Sequence, residues 1–177
     1  MLRDNRGMHI SDLESRPAGF QRVSAALTAR QHGHAPRWLE VAARTSQEAA
    51  EALGVSLGQI AKSVVFRRKS DGAAVLVITS GDRRVDEKKL LPHTGPLGRA
   101  DADYVKAMTG FAIGGVSPLG FAPADGGALP LLFVDRELFR FELIWAAAGH
   151  PNGVFCMTPE QLQALTGAPV IDVVQQV

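Results

Sequence analysis

The chain is 177 residues long, with 46% hydrophobic and 21% charged residues, which is one ordinary globular domain's worth of sequence and far from a disordered composition. Its Lys and Arg (19) against Asp and Glu (18) leave a net charge of +1; this excludes a generic polyanion binder that relies on bulk positive charge, but not a local basic patch. One cysteine, Cys156, excludes an internal disulfide and a cysteine-based zinc cage. The first residues lead into no apolar stretch resembling a signal peptide, and the longest apolar runs, such as 141–148, are too short to cross a bilayer, so a soluble cytoplasmic protein is expected.

In chain order, residues 1–14 are polar and aperiodic and read as a flexible N-terminal leader before a single domain at 15–177. Pro17 opens a helix to about Gln31, with Phe20, Val23 and Leu27 spaced by three and four and Gly33 beyond its end. Residues 36–41 read as a short strand. Thr45 and Glu48 form a capping box for an Ala-rich helix that stops at Gly54, and Ser56 and Gln59 form a second box. Residues 62–68 and 73–79 read as two strands of a hairpin turned by Asp71 and Gly72. Short helices follow near 86–90 and 101–108. Residues 111–120 begin as a strand and become a Gly/Pro loop. Strands are predicted at 129–134, 141–147, 153–157 and 170–174, with Thr158, Pro159 and Gln161 starting a helix that ends at Gly167. Frequent hairpins and few long crossovers predict a mixed α/β fold whose sheet is mainly antiparallel.

The common catalytic signatures are missing: no dinucleotide or P-loop glycine motif, no H-E-x-x-H and no G-x-S-x-G. Cys156 lies in an apolar strand without basic neighbours and reads as a core residue. Three features remain. Lys62 enters an apolar strand; it is either an edge residue with its ammonium in water or a fixed point charge facing a cleft, suited to a phosphate or a polarised carbonyl. The loop Gly114-Gly115-Val116-Ser117-Pro118 is either a plain turn or a stretch whose N–H groups approach a ligand closely. The segment 81–89 is either a solvated face, with Asp86 and Glu87 at a helix start, or, with Arg67, Arg68, Lys69 and Arg99, part of one basic rim.

Residues 59–66 (QIAKSVVF), 81–90 (GDRRVDEKKL) and 109–118 (TGFAIGGVSP) together resemble the YbaK/ProX family. Its members are aminoacyl-tRNA deacylases related to the editing domain inserted in bacterial prolyl-tRNA synthetase. The likeness runs from about Pro36 to Gln163. It implies a mixed, barrel-like sheet flanked by helices, and a trans-acting activity that hydrolyses the ester of a mischarged small amino acid on tRNA(Pro) or a related tRNA.

By the same resemblance, Lys62, Gly114 and Gly115 would be catalytic. Ser63, Val116, Ser117, Pro118, Asp86 and His150 would bind the substrate, and Arg67, Arg83, Arg84, Lys88 and Lys89 the tRNA. Position 63 is serine where the family's Ala-specific branch has asparagine, so no alanine label follows. No cofactor or metal is implied, and no membrane or DNA partner; mischarged tRNA and an aminoacyl-tRNA synthetase are the expected partners. An ester is already activated and a ribose hydroxyl can orient the attacking water, so the protein need supply only orientation and oxyanion stabilisation. Two other readings stay open: a non-catalytic module binding a tRNA end or aminoacyl-nucleotide beside a synthetase, and a hydrolase of free amino-acid esters.

Overall fold

A computed structural model describes residues 10–177. Residues 1–9 of the expected leader therefore lie outside the described residues, and the rest of it enters a short helix, α1 (Ile10–Glu14). Helix α2 (Ala18–Ala29) follows, and the periodic Phe20, Val23 and Leu27 are all fully buried. After β1 (Arg37–Trp38), α3 (Ser46–Leu53) carries the expected capping box: the Thr45 hydroxyl accepts from the Glu48 N–H and the Glu48 carboxylate from the Thr45 N–H. Gly54 closes the helix with a left-handed φ of 67°.

The hairpin of β2 (Ala61–Arg68) and β3 (Ala74–Ser80) pairs Lys62 with Thr79 and Phe66 with Val75. Every residue of β3 is buried, as befits a central strand covered on both faces. Helix α4 (Glu87–Thr94), strand β4 (Leu97–Arg99) and helix α5 (Ala102–Thr109) lead to β5 (Leu131–Asp135), and β6 (Ile144–Ala147), β7 (Gly153–Met157), α6 (Pro159–Thr166) and β8 (Val170–Ile171) complete the chain.

The strands form two sheets, of order β4-β2-β3-β5-β8 and β1-β7-β6. Pairing is antiparallel except where β5 joins β3 and β8, so the mixed, mainly antiparallel α/β expectation holds. The barrel is not closed. The sheets touch at one parallel bridge, Ile60 with Trp145. Between them lies the main core, where Phe20 and Leu27 of α2 meet Ile78, Val134, Ile144 and Phe155. On the other face of the larger sheet, Val75, Val77 and Phe133 pack against Leu90 of α4.

Two segments differ from expectation. Residues 111–113 form no strand: Phe111 is buried, but Ile113 is 56% exposed and no neighbouring strand adjoins it. Strand β4 was not anticipated, since three residues containing Gly98 carry too little pattern.

Asp135 is fully buried at the end of β5. It accepts from the Thr79 hydroxyl at 2.8 Å and from the Glu137 N–H at 3.3 Å. Burial outweighs these bonds and raises its carboxyl above the ordinary 3.8. A raised acid pKa means that the unfolded state releases this proton first, so stability falls as pH rises through that window. Asp135→Asn, which preserves an acceptor for Glu137, is expected to flatten the decline in thermal stability above about pH 4; melting curves of both proteins between pH 4 and 8 test this.

Candidate functional site

Beyond the Ile60–Trp145 bridge, β2 and β6 diverge, and a cavity of about 320 Å³ opens between them. That is the lower end of the usual range of small-molecule sites. Its walls are mostly short apolar side chains, among them Ala49, Ala61, Val65, Ala146 and Val154, with Trp145 as the one large ring. Lys62 and Ser63 line it from β2, Gly114 and Val116 from the glycine loop, and Arg44, Thr45 and Ser46 from the entry to α3. The lysine and the glycine loop, 52 positions apart in the chain, therefore border one hollow.

Neighbouring strand residues face opposite ways. Ser63 stands opposite Ile78, on the main-core face, and Lys62 opposite Thr79, on the other. The half-buried Lys62 ammonium donates to the Arg83 carbonyl at 2.5 Å and, more weakly, to that of Gly81 at 3.5 Å. Burial lowers its pKa, the nearby Arg84 lowers it further, and Asp82 opposes both. The Ser63 hydroxyl is buried with no hydrogen-bond partner.

The turn that receives Lys62 is held by a balanced cluster of charges. Arg140 donates to Asp82 at 2.9 Å and to the Ser80 hydroxyl at 3.0 Å. Arg83 lies 3.4 Å from Asp82 and 3.1 Å from Glu137. Burial works to raise Asp82, but bonds from Arg140 and Ser80 outweigh it and hold the carboxyl below its ordinary value.

In the glycine loop, Gly114 has φ 88°, and a Cβ on Gly115 would lie 2.7 Å from the Cα of His150. The loop thus rests on the β6–β7 connection through backbone contact that only glycine permits. Ser117 and Pro118 are buried outside the cavity lining, and the Ser117 hydroxyl accepts from the Leu119 N–H at 3.3 Å. His150 stands beside the cavity rather than in its lining, stacked on Trp38 at 4.9 Å, with Nδ1 accepting from the Asn152 N–H. Burial lowers its pKa. Asp86 is not at the cavity; it caps α4, accepting from the Lys88 N–H at 3.0 Å.

The basic residues divide. Arg67 lies five residues along β2 from Lys62, about 17 Å away at the strand's rise, where it leans over Tyr104. Arg83 is tied into the charge cluster, and Lys89 is bonded to Asp172 and to the Val174 carbonyl. Arg84 and Lys88 are exposed.

Sequence reasoning missed Arg44, Ile113, Trp145 and the alanines at 146 and 147 as lining residues. The run of alanines at 146–148 was a usable signal, since a strand core ordinarily takes β-branched residues and alanine leaves room. Among the described residues, no Asp, Glu, His, Cys or Tyr lines the cavity. No helix among the described residues is long and apolar enough to cross a membrane.

The family profile of the aminoacyl-tRNA editing domain matches residues 40–165. "Uncharacterized protein YwhH" of Bacillus subtilis (strain 168) is 36% identical over 136 residues, spanning 76% of this chain and 83% of that protein. "Putative Cys-tRNA(Pro)/Cys-tRNA(Cys) deacylase EbsC" of Enterococcus faecalis (strain ATCC 700802 / V583) is 27% identical over 131 residues, spanning 73% and 76%. A solved structure described as "Crystal structure of a putative trans-editing enzyme for prolyl tRNA synthetase" superposes with a TM-score of 0.80 at 40% identity, covering 92% of this chain and 100% of that one.

Because a Cβ at 115 would press on His150 backbone on three atoms, Gly115→Ala is expected to cost about 1–3 kcal/mol and to shift the loop out of the cavity wall. Denaturant unfolding gives the first quantity, and a crystal structure of the variant the second.

Proposed function

Since the chain belongs to the aminoacyl-tRNA editing domain family, we propose that it is a trans-acting deacylase removing a mischarged small amino acid from tRNA(Pro) or a related tRNA. The observation that carries this reading is the shared hollow: Lys62 and Ser63 of β2 and Gly114 and Val116 of the glycine loop line one small, apolar-walled cavity, with Gly115 packed behind it on His150. The similarity to a trans-editing structure and to a protein named as a deacylase of Cys-tRNA(Pro) supports the tRNA and the reaction.

In this reading water adds to the ester carbonyl carbon, the bond from that carbon to the ribose oxygen breaks, and the proton ends on the released hydroxyl. With no Asp, Glu, His, Cys or Tyr in the lining among the described residues, the ribose hydroxyl beside the ester orients the water. Lys62, whose ammonium stands on the other face of β2 from Ser63 and is held by the Arg83 and Gly81 carbonyls, meets the terminal phosphate at the cavity margin, and the Gly114 backbone positions the ester. Val116 and the alanine walls admit a short side chain and exclude long ones; a missing methylene changes binding by only ~1–3 kcal/mol. Arg84 and Lys88 are the exposed cations that meet the tRNA backbone. Action in the cytoplasm, beside a synthetase, belongs to the same reading.

The lack of a carboxylate, histidine, cysteine or tyrosine in the lining among the described residues also favours a second reading, a non-catalytic module that binds an aminoacyl end. A panel of tRNAs charged with Ala, Ser, Cys, Thr and 2-aminobutyrate separates the two: release of at least one amino acid is expected, whereas tight binding without release supports the module. Lys62→Met is expected to lower kcat/KM by about 100-fold with little change in melting temperature. Arg84→Gln removes a charge that depresses Lys62, so the basic limb of the pH–rate profile is expected to move to higher pH, measured after subtraction of spontaneous hydrolysis.

A further inference from the structure

The two sheet edges that border the cavity carry main-chain groups with no strand opposite them. The Arg68 N–H donates to the Ala73 carbonyl and the Lys69 N–H to that of Pro96. Even-numbered residues of β2 therefore turn their main-chain groups toward β3, and odd-numbered ones toward the other edge. That edge is covered by β4 only at Phe66–Arg68, and by β6 only at the Ile60–Trp145 bridge. Ser63 lies between, so its N–H and C=O face the cavity, which it lines. Across the gap, the Ala148 N–H donates to the Gly153 carbonyl, which turns Ala147 the other way, toward β2.

We infer that Ser63 receives the aminoacyl group as a strand receives a neighbouring residue: the substrate's α-ammonium donates to the Ser63 carbonyl, and the ester carbonyl accepts from the Ser63 N–H. An α-amino ester repeats the N–Cα–C=O order of a peptide residue, so it can exchange both bonds with one residue, as in the hydrogen-bonded pair of an antiparallel ladder. Buried backbone groups without partners are costly, and a ligand of this chemistry satisfies both at once. The cavity's apolar walls offer the ammonium no competing carboxylate. This rests on the deacylase reading and specifies its substrate class: esters of α-amino acids with a free amino group.

The test compares a mischarged tRNA that the protein cleaves with the same tRNA carrying the des-amino acyl group, propionyl in place of alanyl for example. Each rate is normalised to its own uncatalysed hydrolysis. The des-amino ester is expected to lose about 10- to 100-fold in normalised kcat/KM; equal normalised values overturn the inference while leaving the deacylase reading intact. Failure to cleave any aminoacyl-tRNA overturns that reading and the inference with it. Ser63→Pro removes an N–H that makes no ladder bond to β3, and is expected to lose a similar factor on the aminoacyl ester. Ser63→Ala, which retains the N–H, is expected to keep the discrimination between amino and des-amino esters, and its loss there counts against main-chain recognition. Should the proline variant not fold by circular dichroism, the comparison of esters on the wild-type protein decides the matter alone.

Discussion

Backbone amides taken out of water must find partners, and the place where this protein leaves them unpaired determines the rest of its design. Two sheets approach along β2 and β6, join at Ile60 and Trp145, and then part. Closing the gap would have produced a small barrel filled with side chains. Instead, alanines at 61, 146 and 147 keep the walls thin, and the separation becomes a chamber with polar rims and apolar sides. Such a chamber can hold a short acyl group without any carboxylate in its walls among the described residues.

The lysine at its margin is positioned by a different device. Its ammonium is tethered to carbonyls of the turn after β3, and that turn is braced by Asp82, Arg83, Glu137 and Arg140. Two cations and two anions share one network, so the brace adds no net charge beside Lys62. Exposed ion pairs contribute little one at a time; here partial burial and shared partners give a fixed scaffold on which a half-desolvated ammonium can rest. The buried Asp135, holding Thr79 directly across the ladder from Lys62, stiffens the same end of the sheet from behind.

Local chemistry was legible in the sequence. The capping boxes at Thr45 and Thr158, the hairpin around Asp71 and Gly72, and the helix ends at Gly54 and Gly167 all depend on residues a few positions apart, and all formed. The convergence of Lys62 with the Gly114 loop came from a family resemblance rather than from spacing. What stayed hidden is non-local. Arg83 and Lys89 looked like free cations, because their partners Glu137 and Asp172 lie 54 and 83 positions further on. Ile113 looked like a strand residue because apolar character does not by itself distinguish a ladder from the lip of a cavity. The parting of two strands leaves no pattern in either one.

The sheets end in very short strands: β4 has three residues, β8 two and β1 two. Long free edges invite pairing with another molecule, and proteins commonly blunt them. Here the longer unpaired stretches of β2 and β6 face each other across the interior cavity. At the cavity, the main-chain groups that these strands leave open are thereby presented to a small guest entering the chamber.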